Sequence, residues 1–256
     1  MIHPSAIIDS KAELADDVEV SPFVVIGSAV RIDSGTWIGP HTVIQGPTDI
    51  GRDNRIYQFS SIGEQPQDKK YAGEATRLII GHRNVIREYC TFNRGTIQDQ
   101  GQTVIGNDNW IMAYVHIAHD CIVGNQTIFA NGATLAGHVV VQDYAILGGF
   151  CLVHQFCRVG QYAFTGMGTA LSRDVPPYVL VGGNPTSPHG INVEGLKRHG
   201  FHQEKIQHLK TAYRLLYRSS YRMDRAINVL KTKLGQYAEV NILIDFLKNS
   251  NRSIIR

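Results

Sequence analysis

The chain has 256 residues, 43% of them hydrophobic, with a net charge of +3 and four cysteines, which is enough for one large core or two modest ones. No apolar run reaches the roughly 18 residues of a membrane span and no basic-then-apolar leader opens the chain, so the composition points to a cytoplasmic protein rather than a membrane-spanning or secreted one. The charge is unevenly placed: residues 1–189 carry 12 Lys and Arg against 17 Asp and Glu, while residues 190–256 carry 13 against 5.

From Ile8 onward every sixth residue is aliphatic: Ile8, Leu14, Val20, Ile26, Ile32, Ile38, Ile44, Ile50, Ile56 and Ile62. The column two places earlier holds small or β-branched residues, among them Ala6, Ala12, Val18, Val24, Val30, Thr36, Thr42 and Thr48. Gly27, Gly39, Gly51 and Gly63 follow the aliphatic position, where a tight corner is expected. A six-residue period is the mark of a parallel β-helix, with residues eighteen apart stacked about 4.8 Å from each other. The period stops after Ile62, resumes at Ile80, Ile86 and Phe92, and stops again before Ile105. From Ile105 it runs to Leu171 with only Thr165 out of character. The polar segments 63–77 and 95–103 are therefore expected to loop outward, and inserts on a repeat scaffold are where binding chemistry tends to sit.

Cys90, Cys121, Cys151 and Cys157 all fall in the small-residue column, which suits reduced core filler and offers no disulfide or metal spacing. The repeat is expected to end near Asp174-Val-Pro-Pro-Tyr178, where two prolines break the strand pattern. Ile206, Leu209, Tyr213 and Leu216 then follow helical spacing, as do Val240, Leu243, Ile244 and Leu247, with a further short helix over 226–234. This segment is basic, which suits an acidic or phosphate-bearing partner. It lacks the interleaved aromatics that stacking on a nucleic acid needs.

Four of the eleven histidines lie in the second run: His116, His119, His138 and His154. Gly137 stands directly above His119 in the period, and Gln155 one coil higher. Two chemistries use such a cluster. A neutral imidazole is a competent general base, and three imidazoles can hold Zn²⁺ with a position left open for water. A Ser-His-Asp elbow, a P-loop and a dinucleotide fingerprint are all missing.

Several stretches carry a more specific signal: Arg55–Phe59, Gln67–Glu74, His116-Ile-Ala-His-Asp120, Leu135–His138, His154-Gln-Phe156, Asp174–Tyr178, Asn192-Val-Glu-Gly-Leu-Lys-Arg198 and the closing Ser253–Arg256. Together, and nearly end to end, they resemble the bacterial family of acyl-carrier-protein–UDP-N-acetylglucosamine O-acyltransferases, which start lipid A synthesis. The resemblance implies a left-handed parallel β-helix over 1–189, with inserts near 63–77 and 95–103, and a small α-helical basic domain over 190–256. It also implies a homotrimer with active sites between subunits. His119 would be the general base toward the sugar 3-hydroxyl, Asp120 would orient or stabilise it, and the Gly137 N–H would face the oxyanion. Asp68 and Lys70 resemble sugar-nucleotide contacts, His116, His138, His154 and Gln155 would line the cleft, and Asn192, Glu194 and Arg198 would meet the nucleotide end. No metal and no resident cofactor are implied, since phosphopantetheine arrives on the acyl carrier protein, to which the basic domain is suited.

Three positions depart from the family pattern. His199 stands where a second arginine often follows Arg198, and Asn93 where a histidine is expected. Met167 occupies a position that is Gly in the long-chain enzymes, which implies a groove shortened to 3-hydroxyacyl chains of about ten to twelve carbons. The competing readings are an N-acyltransferase of the same pathway, a trimeric zinc enzyme of carbonic-anhydrase type and a β-helix without catalysis. The first usually carries a separate N-terminal domain, whereas here the repeat begins at residue 8.

Overall fold

The computed structural model describes the whole chain, Met1–Arg256. A left-handed parallel β-helix of three flat sheets leads into a small helical domain. The first sheet has nine strands, from Ile7–Ile8 to Ala170–Leu171, and the second has eight, from Glu13–Leu14 to Arg158–Val159. The third has ten, beginning at Glu19–Val20. Stacking is in register, so Ile44, Ile62, Phe92, Ile117, Leu135 and Val153 lie one above another. Because the hexad repeats the same inward position on every face, these columns merge into one core of 40 buried residues. Thr165, the one polar member of the run, is fully buried, and its hydroxyl accepts the Gly148 N–H at 3.1 Å, so the column keeps its shape without an orphaned polar group.

The corner glycines serve a different purpose from the one expected. Gly27, Gly39 and Gly51 do not adopt positive φ; that conformation falls two residues on, at Ala29 (55°), His41 (59°) and Asp53 (58°). What the glycines provide is proximity between coils. A Cβ on Gly39 would lie 2.8 Å from the Gln58 nitrogen of the next coil. Gly63, at φ 77°, is the exception.

Both inserts leave the β-helix at one edge. The chain passes from the strand Ser61–Glu64 of the first sheet to Arg77–Ile80 of the second through one insert, and from Thr91–Asn93 to Gln102–Ile105 through the other. That first–second corner is also where His119, His138 and Gln155 turn, on successive coils above. A sixfold period therefore places two distant inserts and three corner residues along one line.

The repeat runs beyond the expected stop at Asp174–Tyr178. Pro176 and Pro177 sit in a corner, and the strand Val179–Gly182 then pairs in parallel with Phe164–Thr165. Only Ser187–Ile191, antiparallel to it, ends the sheet. A helix that the periodicity does not disclose follows: α1 (Val193–Arg198), six residues long with Asn192 as its N-cap. Helices α2 (Gln203–Tyr217), α3 (Met223–Leu234) and α4 (Ala238–Lys248) bury Ile206, Leu209 and Leu216, then Leu230, then Val240, Leu243, Ile244 and Leu247, in a second core of 15 residues that also takes in Tyr178. The tail returns to the β-helix, where Ile254 bridges to Asp174. All four cysteines are free and buried, and burial pushes the Cys90 and Cys121 thiols up to about 12.

Candidate active site

A cleft of about 870 Å³ opens along the first–second edge. The first insert contributes Gln67, Asp68, Lys69 and Lys70 to its walls, and the second contributes Gln98 and Asp99. His119, His138, Gln155 and Phe156 come from the coil corners. Two carboxylates (Asp68, Asp99), two ammonium groups (Lys69, Lys70) and two imidazoles thus share it.

His119 donates from Nδ1 to Asp120 Oδ2 at 2.9 Å. A carboxylate only accepts, so Nδ1 carries the proton, and in the neutral ring Nε2 keeps a lone pair directed away from Asp120. Asp120 is itself anchored. Its Oδ1 accepts the Thr96 N–H at 2.8 Å and its Oδ2 the Thr96 hydroxyl at 2.6 Å, while its own N–H donates to Thr103 Oγ1 at 2.9 Å. Burial pushes the Asp120 carboxyl up, but the hydrogen bonds from His119 and Thr96 outweigh it and hold the group below the usual carboxylate range. The result is a fixed anion behind the imidazole.

Gly137 lies over the ring, and a Cβ there would come within 2.5 Å of His119 Cε1 and 2.8 Å of Nε2. Glycine is thus required for the imidazole to occupy its place, and its backbone N–H has no acceptor within the chain. On the other side, His138 donates from Nδ1 to Asp99 Oδ2 at 2.9 Å and stacks on Phe156 with ring centroids 4.4 Å apart. The two imidazoles meet edge to face at 5.1 Å.

The expected site residues separate into three groups. Asp68, Lys70, His119, His138 and Gln155 line the cleft, with Asp120 and Gly137 directly against His119. His116 and His154 do not line it. His116 stands on the outer face of the first sheet, bonded to Thr91 Oγ1 at 2.7 Å, with its pKa lowered by burial. His154 is exposed at the end of the strand Leu152–Val153. Met167, Asn192, Glu194 and Arg198 lie on other edges of the same chain. Met167 is 81% exposed on the third–first corner, one coil above Gly149, so it is not core packing. Asn192 caps α1 through Oδ1 to Gly195 N–H and donates from Nδ2 to Tyr162 O, at 3.1 Å each. Glu194 pairs with Lys197, and Arg198 is exposed beside the second–third corner. There His199 packs edge-on against Tyr144 and Tyr162, which gives the departure at this position a packing role.

Thr96, Asp99 and Arg94 are functional candidates that the period does not reveal, because all three belong to the aperiodic root and loop of the second insert. The Arg94 guanidinium is buried. It donates to the carbonyls of Gly46 and Gly63 at 2.8 Å each and to Tyr71 Oη at 3.2 Å, tying the first insert to the coil below it. Asn93, the other departure, is buried under that insert and donates to Gln65 O at 2.7 Å. His119, Asp120 and His138 hold ligand-type atoms within 4.8 Å of one another. This differs from the zinc expectation in its donors: two imidazoles converge rather than three, and the carboxylate already accepts three hydrogen bonds. No helix is long and apolar enough to cross a membrane.

Residues 174–255 match the family described as UDP N-acetylglucosamine O-acyltransferase, domain 2, and residues 102–137 match the bacterial transferase hexapeptide repeat. Acyl-[acyl-carrier-protein]–UDP-N-acetylglucosamine O-acyltransferases of Halorhodospira halophila and Thiobacillus denitrificans are 58% and 56% identical over 255 residues, covering 100% of this chain and 99% of each relative. The solved LpxA of Acinetobacter baumannii is 46% identical with a TM-score of 0.98, covering 100% of this chain and 99% of its own. The UDP-N-acetylglucosamine acyltransferase of Francisella novicida superposes with the same TM-score of 0.98 at 41% identity, covering 100% of this chain and 94% of its own.

Proposed function

The chain belongs to the acyl-[acyl-carrier-protein]–UDP-N-acetylglucosamine O-acyltransferase family and is an acyltransferase, and from that premise we propose the reaction and the role of each residue. It transfers a 3-hydroxyacyl chain from acyl carrier protein to the 3-hydroxyl of UDP-N-acetylglucosamine, the first step of lipid A biosynthesis, in the cytoplasm where both substrates are at hand. The observation that carries this reading is the His119–Asp120 pair beneath the free N–H of Gly137, in a cleft walled by both inserts.

His119 Nε2 takes the proton of the 3-hydroxyl as that oxygen attacks the thioester carbon. The carbonyl oxygen becomes an anion facing the Gly137 N–H, a donor worth most where water is excluded. Collapse of the tetrahedral intermediate breaks the C–S bond, and the proton on His119 passes to the departing phosphopantetheine sulfur. Asp120, ionised throughout by its Thr96 and His119 bonds, offsets the charge of the imidazolium. Asp68, Lys70, His138 and Gln155 hold the sugar nucleotide in the same cleft. No resident cofactor takes part, since the thioester arrives on its carrier.

The residues for the nucleotide end, Glu194 and Arg198 on α1, stand at a different edge from His119. One chain does not bring them together, and a threefold assembly does, by setting the α1 edge of one copy beside the His119 edge of the next. The basic helical domain then faces an acidic carrier at the mouth of that cleft, where complementary charge mainly speeds encounter. Met167, projecting from its corner, ends the acyl groove. At about 0.8 kcal/mol per buried methylene, losing room for a few carbons selects chains of about ten to twelve.

A mass-spectrometric transfer assay with UDP-N-acetylglucosamine and a ladder of 3-hydroxyacyl carrier proteins tests the reading. The expected product is a singly acylated sugar nucleotide, strongest for the shorter chains and reduced by about 10²–10⁴-fold in His119→Ala. Met167→Gly is expected to extend the range to longer chains. No product from the wild type with any chain would overturn the assignment.

A further inference from the structure

The second insert brings an acid to the cleft that the reaction as written does not use. Asp99 Oδ2 lies 2.9 Å from His138 Nδ1, and the Asp120 carboxylate lies 3.9 Å from the same nitrogen. The cleft therefore holds two His–Asp pairs side by side, His119–Asp120 and His138–Asp99, with their rings edge to face at 5.1 Å. Both acids sit on the Nδ1 side of their imidazoles. The pairs differ in origin: Asp120 is part of the coil, whereas Asp99 is carried by a loop, with 38% of its side chain exposed.

We propose that Asp99 is a positioning residue for sugar-nucleotide binding, acting through His138. The proposal rests on the acyltransferase reading above and deepens it. His138 occupies a corner at φ 64° and stacks on Phe156, which fixes the plane of its ring but leaves a flip about χ2 open. A flip exchanges the two ring faces and sends a different atom into the cleft. An acceptor-only carboxylate on one side settles the choice: Nδ1 holds its proton toward Asp99, which leaves Nε2 as the nitrogen without an acid partner in the cleft that His138 lines together with Lys70 and Asp68. In the neutral ring Nε2 is then an acceptor, and the group it takes is a hydroxyl of the hexosamine. The same bond ties the second insert to the coil corner that carries His138, so loop placement and ring orientation are coupled.

The test combines a double-mutant cycle with imidazole ¹⁵N spectra of the whole protein. Asp99→Ala is expected to raise KM for UDP-N-acetylglucosamine about five- to tenfold with kcat within twofold, the size of a charge-assisted hydrogen bond at a partly exposed site. Asp99→Asn, which keeps an acceptor oxygen, recovers most of that loss. In a His138→Ala background Asp99→Ala adds nothing further, because the path through the ring is gone. Spectra of the wild type, assigned by difference from His138→Ala, show His138 as the Nδ1–H tautomer, and Asp99→Ala mixes the two tautomers. An equal cost of Asp99→Ala with and without His138, or a tautomer indifferent to Asp99, overturns the proposal. Absence of acyl transfer by the wild type would instead sink the reaction assigned above, and the tautomer spectra would still decide whether Asp99 orients His138.

Discussion

At the scale of single residues, the base proposed above, His119, is held through Asp120 by Thr96, a buried residue outside the cleft lining. Thr96 gives Asp120 two of its three side-chain hydrogen bonds, one from the backbone at 2.8 Å and one from the hydroxyl at 2.6 Å. Thr96→Val keeps the volume and the backbone bond and removes the hydroxyl. Steady-state kinetics are expected to show kcat falling about tenfold, or ~1.4 kcal/mol, with both KM values nearly unchanged. An unaltered kcat would reduce Thr96 to packing. Little of this pair was open to sequence reading beyond its two ends. His119, Asp120 and Gly137 are periodic neighbours, so their stacking follows from counting by eighteen. Thr96 reaches Asp120 only because an aperiodic insert ends beside it.

Among the elements, the first insert depends on a buried cation. Tyr71 receives a hydrogen bond from Arg94 and donates to Glu74 O at 2.9 Å, so it stitches the loop that carries Asp68 and Lys70 to the coil. Tyr71→Phe breaks both links. KM for the sugar nucleotide is expected to rise about three- to fivefold with kcat held, and amide exchange over 65–75 to quicken. Unchanged exchange would mean that the loop holds itself. The tail presents the opposite electrostatic case. Asp174 is fully buried, and burial raises its pKa above the ordinary 3.8 despite bonds from Ser250 and the Arg158 N–H. A raised folded pKa adds stability that is complete below pH 3.8 and is lost as pH climbs through the folded value. Asp174→Asn is therefore expected to flatten that part of the Tm-versus-pH curve and to be at least as stable at pH 7. A Tm loss at pH 7 would show that the charge itself is needed there.

For the molecule as a whole, the separation of His119 from α1 makes a prediction about assembly. His119→Ala and Arg198→Ala chains, each weak alone at low sugar-nucleotide concentration, are expected to recover roughly a quarter of wild-type activity when co-assembled at random, since some interfaces then unite two intact halves. Mixed assemblies no better than their parents would place the site within one chain. The sequence by itself determined the β-helix, its core columns, the two outward inserts and the helical faces of 206–216 and 240–247, because each is a local rule repeated at a fixed period. Only the tertiary structure decided that Pro176 and Pro177 turn a corner instead of ending the sheet, that the corner glycines relieve contact between coils, and that six residues after Asn192 form a helix. It also sorted the histidines: His119 and His138 turn into the cleft, while His116 and His154 do not. Periodicity says which residues share a line along the solenoid. Which way an outward side chain points, and what an aperiodic loop lays against it, depends on contacts between segments far apart in the chain, and a repeat carries no record of those.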